Sequence, residues 1–76
     1  MEYMTFSTYV NSNKQADVVR DVGDPKNRVW GVRYSIDNSV IGIEWYKKHS
    51  EQYAENAAEN FVHGIKTTVN NKIIKG

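Results

Sequence analysis

"SVIGIEWYKKHSEQYAENAAENF", residues 39–61, changes period halfway along. Its first half alternates, and VIGIEWY at 40–46 has the β-branched and aromatic content of a strand. Its second half repeats every three to four residues. Ser50 is a good N-cap, and Glu51 falls in the first turn of the helix that follows. Tyr53, Ala54, Ala57, Ala58, Phe61, Val62 and Ile65 form one apolar stripe, and the three alanines let this helix lie close to a sheet. Gly64 suits the C-cap, with Ile65 packing back on the last turn. A strand that passes straight into an amphipathic helix predicts an α+β chain.

Working upstream, RVWGVRYSI at 28–36 is the second clear strand. With Asp37-Asn38 as a two-residue loop, Trp30 faces Trp45, Val32 faces Ile43 and Tyr34 faces Ile41, so every large apolar side chain lands on one face. A slip of one residue puts Val32 opposite Glu44 and Tyr34 opposite Gly42. The pattern therefore selects the first register. Residues 3–10, YMTFSTYV, alternate Met4, Phe6 and Val10 against Tyr3, Thr5, Ser7 and Tyr9 and read as a strand, followed by a polar turn at 11–15. Residues 16–22, ADVVRDV, have two readings. A Ser12–Gln15 capping box would open a short helix, whereas three valines in seven residues suit a strand, the preferred reading. Gly23-Asp24-Pro25-Lys26-Asn27 is then a hairpin loop. The expected architecture is a small antiparallel sheet of three to four strands (3–10, 28–36, 40–46, with 16–22 as the optional one) packed by one C-terminal helix over about 50–64. The whole is one domain, 1–76, with 67–76 as a flexible basic tail that could also extend the helix or add a short edge strand.

A chain of 76 residues supports one domain with a small core. No cysteine is present, so disulfides and thiolate chemistry are excluded, which favours the reducing cytoplasm. The opening MEYMTFSTYV has no basic segment and does not read as a signal peptide, and no apolar run approaches the roughly 20 residues that span a bilayer. The net charge of +1 gives no global electrostatic case for nucleic acid or membrane.

Little in the sequence points to catalysis. His49 and His63 lie at opposite ends of the helix and cannot share a zinc ion. The glycines are scattered, and none opens a helix after a strand as in a phosphate loop. Neither an enzyme activity nor a cofactor is expected. Binding has better candidates. In the selected register Gly31 and Gly42 sit on the outer face beside Arg33 and Glu44, which become diagonal neighbours within reach of an ion pair. The ordinary reading is relief of twist plus a surface ion pair. The binding reading is a low-relief platform, flanked by Val29, Val40 and Tyr46, for a protein partner or for a second copy in a homodimer. Glu51, Glu55 and Glu59 recur at i, i+4, i+8 beside an amide column of Gln52, Asn56 and Asn60. These are either a solvated face or an acidic strip read by a basic partner. The alternative is a small nucleic-acid-binding protein using Arg28, Arg33, Lys47 and Lys48. Few cations, an acidic helix start and tryptophans expected in the core count against it.

From WGVRYSIDN through IGIEWY to HSEQYAENAAENFVHGI, roughly residues 28–66, the chain resembles short uncharacterised accessory proteins of tailed bacteriophages, in particular T4-like phages of marine cyanobacteria. The resemblance implies a small phage protein acting in a bacterial host. It carries over no reaction and no site residue.

Overall fold

The computed structural model describes residues 2–23, 26 and 28–74. Four strands follow one another as an antiparallel meander: β1 (Tyr3–Asn11), β2 (Lys14–Asp21), β3 (Trp30–Ile36) and β4 (Ser39–Tyr46), in the order β1-β2-β3-β4. The helix α1 (Glu51–Val62) crosses one face of this sheet. A small hairpin, β5 (Thr68–Val69) and β6 (Lys72–Ile73), packs beside β4.

The expected α+β class is therefore observed, and the segment with two readings is a strand. Ala16, Val18 and Val32 need a flat, half-buried surface against α1, and all three are fully buried there. Residues 67–74 neither extend the helix nor remain a free tail, because Asn70 and Asn71 take φ of 50° and 66° and turn the chain back on itself. Asp24, Pro25 and Asn27 of the expected loop, and Lys75 and Gly76 of the expected tail, lie outside the described residues.

Both ends of α1 are closed as the sequence implies. Ser50 Oγ accepts from the Tyr53 amide, and Gly64 at φ 77° bonds back to the Phe61 carbonyl while the Ile65 amide reaches Asn60. Ile65 itself does not pack back. It is 71% exposed and lines a surface groove. The inner core joins Ala54, Ala58, Phe61 and Val62 of α1 to Val18, Val32 and Tyr34 of the sheet.

The central hairpin corrects the selected register. Asp37 and Asn38 do form the two-residue turn, at φ 52° and 66°, and Ile36 faces Ser39. A bulge at Ile41 then shifts the pairing by one residue, so Tyr34 faces Gly42, Val32 faces Glu44, Gly31 faces Trp45 and Trp30 faces Tyr46. The two tryptophans do not pair. The expectation assumed that one face alone is buried, whereas this sheet buries side chains on both: Val18 and Val32 beneath the helix, Val19 and Asp17 on the opposite side. Trp45 is needed as cover on that second face. A second bulge, at Phe6, does the same to β1. Beyond it Ser7 and Tyr9 pair with Val18 and Ala16, while Met4, Phe6 and Val10 are exposed.

Candidate functional site

The outer face is organised around a buried charge. Asp17 on β2 faces Arg33 on β3 and Thr8 on β1. Its Oδ2 accepts from Arg33 Nε at 3.1 Å and Nη2 at 2.8 Å, and its Oδ1 accepts from Thr8 Oγ1 at 2.8 Å and Gln15 Nε2 at 3.1 Å. Burial alone would raise the Asp17 pKa, but these donors outweigh it and hold the carboxylate below its ordinary value. Arg33 also donates from Nη1 to the Tyr3 hydroxyl, and Tyr3 meets Trp45 edge-on at 6.1 Å. Arg33 is thus tied to Asp17, not to Glu44 as expected.

Nor is there a glycine platform. A Cβ on Gly31 would lie 2.6 Å from both the Glu44 carbonyl and the Trp45 ring, so Trp45 roofs this position. Gly42 is on the other side of the sheet, beneath Val69 and Asn70. Glu44 and Tyr46 share that inner side. The bulge at Ile41 is what separates the four residues expected to form one surface.

Glu44 and Tyr46 instead join a polar network at the base of the β5–β6 hairpin. Tyr46 donates to Glu44 Oε1 at 2.6 Å, and the Tyr34 hydroxyl pairs with that of Tyr46. Lys66 Nζ reaches Glu44 Oε1 at 2.9 Å, and the Asn70 amide donates to Oε2 at 2.6 Å. Burial pushes the Glu44 pKa up, but Tyr46, Lys66 and Asn70 together pull it below the ordinary value. Burial raises the pKa of both tyrosines strongly, and Glu44 adds to this at Tyr46. Both are therefore protonated at neutral pH. Tyr46 donates to the carboxylate that also accepts from Asn70 of the hairpin turn. A groove of about 370 Å³ beside them is lined by Tyr53, Asn56, Asn60 and Lys66, and His49 stacks on Tyr53 at 3.8 Å. Among the described residues no group of three or more acidic or histidine side chains is placed to hold a metal ion.

The third surface is the β1 edge. The sheet order leaves one side of this nine-residue strand unpaired, whereas at the opposite edge Asn70 Nδ2 caps the Ile43 carbonyl. Residues 3–11, YMTFSTYVN, include no charge and no proline, two of the usual means of blunting an edge, and the bulge at Phe6 is the one such feature the strand carries. The Val22 amide bonds to the Glu2 carbonyl, so antiparallel alternation turns the amides of Tyr3 and Thr5 outwards. Past the bulge at Phe6 the parity changes, and Thr8 and Val10 face outwards. Of the candidate acids, Glu55 accepts from Tyr9 Oη at 2.9 Å. The Tyr9 pKa is pushed up by burial and by Glu55, with Glu59 and Glu51 adding to it, and these two lie one helical turn to either side of Glu55. The signal for this edge in the sequence is an uncharged strand at one end of the meander, which alternation alone does not mark as an edge.

Among the described residues the chain is a four-stranded α+β meander whose β1 edge is unpaired and uncharged. Comparison with protein-family models, with curated proteins and with solved structures returns no match. No described helix is long and apolar enough to cross a membrane.

Proposed function

We propose that the chain is a non-enzymatic protein-interaction module that takes up a partner segment along β1. The observation that carries this reading is the unpaired edge of β1, uncharged over its full length, with Met4, Phe6 and Val10 exposed on it. Outward N–H and C=O groups of such an edge pair with an extended segment, which is how sheet addition gains affinity. On this reading the partner is a phage or host protein in the bacterial cytoplasm. The test is capture from a bacterial lysate by the native chain and by Val10→Pro, which removes one outward amide without breaking the bond ladder to β2. Proteins held by the native chain and released by Val10→Pro are the expected result. An identical set on both overturns the reading.

One observation favours a second reading, binding of single-stranded nucleic acid on the outer face. Trp45, expected in the core, lies there partly buried against Tyr3, whose ring Arg33 also approaches. Stacking on such rings is sequence-tolerant. A gel shift with single-stranded DNA and RNA at about 150 mM salt, lost in Trp45→Ala, would favour it. The ion pair that holds Arg33 on Asp17 leaves the face little free positive charge.

A further inference from the structure

Resting on the reading of β1 as the docking edge, we propose that its occupant is an extended basic segment of a partner protein. That segment adds to β1 as a fifth strand and sets lysine or arginine side chains against Glu51, Glu55 and Glu59. The edge is the site, and the glutamates decide what fits it.

Two contacts fix the placement. Tyr9 bonds to Glu55, and Asn11 Nδ2 donates to the Val62 carbonyl at 3.0 Å, so α1 runs in the same direction as β1 and alongside its second half. Successive glutamates of the column rise about 6 Å along the helix. Every second side chain of an added strand points to the helix side and recurs about every 6.8 Å. The two repeats match over three positions. An added strand would lie about 4.8 Å beyond β1, within reach of long basic side chains. Among the described residues no cation pairs with Glu51, Glu55 or Glu59, and β1 carries no charge to compete with them.

The same geometry argues against the other occupants. A second copy joined through β1 would bring two acid columns face to face across the seam, a like-charge arrangement that disfavours that pairing. A nucleic-acid strand laid along this edge meets the same carboxylates.

The probes are two labelled, end-blocked heptapeptides, one alternating lysine with valine and one alternating glutamate with valine. Fluorescence anisotropy is expected to show the lysine peptide binding about tenfold or more tightly than the glutamate peptide, with the preference falling as salt rises. The triple variant Glu51→Gln, Glu55→Gln, Glu59→Gln should remove the preference. Hydrogen exchange of the native protein should show the Thr8 and Val10 amides protected by the lysine peptide, a readout that does not depend on any variant folding. Equal affinity for both peptides, with those amides protected, overturns the basic occupant and leaves the docking edge standing. Binding that leaves the amides unprotected overturns the edge itself. Failure of both peptides to bind, or β1 amides already protected in a peptide-free dimer, overturns the proposal as well.

Discussion

Asp17 shows how much one side chain can organise. It is 2% exposed, yet it accepts four hydrogen bonds from three residues on β1, β2 and β3. Asp17→Ala leaves the Arg33 guanidinium and two further donors without their acceptor. The expected cost is about 3 kcal/mol, read from urea denaturation. Gly31 tests the second buried face in a different way. Gly31→Ala drives a methyl into the Glu44 carbonyl and the Trp45 ring and should cost about 1–3 kcal/mol. Gly42→Ala meets the Val69 side chain at 3.1 Å, where the hairpin can give a little, and should cost less. Arg33 stood out in the sequence. Its partner did not, because the Asp17 carboxylate reaches it only once 14–21 is a strand in one particular register.

At the level of elements, the ends of α1 follow from local chemistry. Ser50→Ala removes the N-cap acceptor and should cost about 1 kcal/mol without altering the rest of the fold, as measured by thermal denaturation. The β5–β6 hairpin is different, since two residues per strand cannot stand alone. It is held by buried Val69, by Asn70 on Glu44 and by Asn70 on the Ile43 carbonyl. Deleting residues 67–76 should therefore lower stability by about 2–4 kcal/mol in urea while the helical far-ultraviolet signal persists. The sequence left this segment open between a tail, a helix extension and an edge strand, and the turn at Asn70-Asn71 was not foreseen. Nor was what it packs against, since Gly42 and Glu44 were expected to face the other way.

The whole molecule couples these parts through its ionisable groups. Asp17 and Glu44 both titrate below their ordinary values of 3.8 and 4.5 when folded. A depressed carboxylate contributes stability that is complete above its unfolded pKa and is lost as pH falls through the folded one. Urea midpoints should hold level down to about pH 5 and then decline, and the decline should flatten in Asp17→Asn and in Glu44→Gln. Tyr34 and Tyr46 act in the opposite sense. Their folded pKa values are raised, so their contribution is complete below the ordinary value of 10.0 and is lost as pH rises above it. A second decline beyond about pH 10, weakened in Tyr46→Phe, is the expected alkaline limb.

The sequence by itself determined three strands by composition and alternation, one helix by its apolar stripe and its Ser50 and Gly64 caps, and the Asp37-Asn38 turn by its tolerance of positive φ, while it left 16–22 between strand and helix and 67–74 open. These are short-range effects, decided within a few residues of chain. Only the tertiary structure decided the bulges at Phe6 and Ile41, and with them which side chains share a face. Alternation names two sets of residues on a strand but does not say how much cover each face needs. Here both faces bury valines, so one tryptophan goes to each side, and the shift that separates them also carries Glu44 to Lys66 and leaves Arg33 with Asp17.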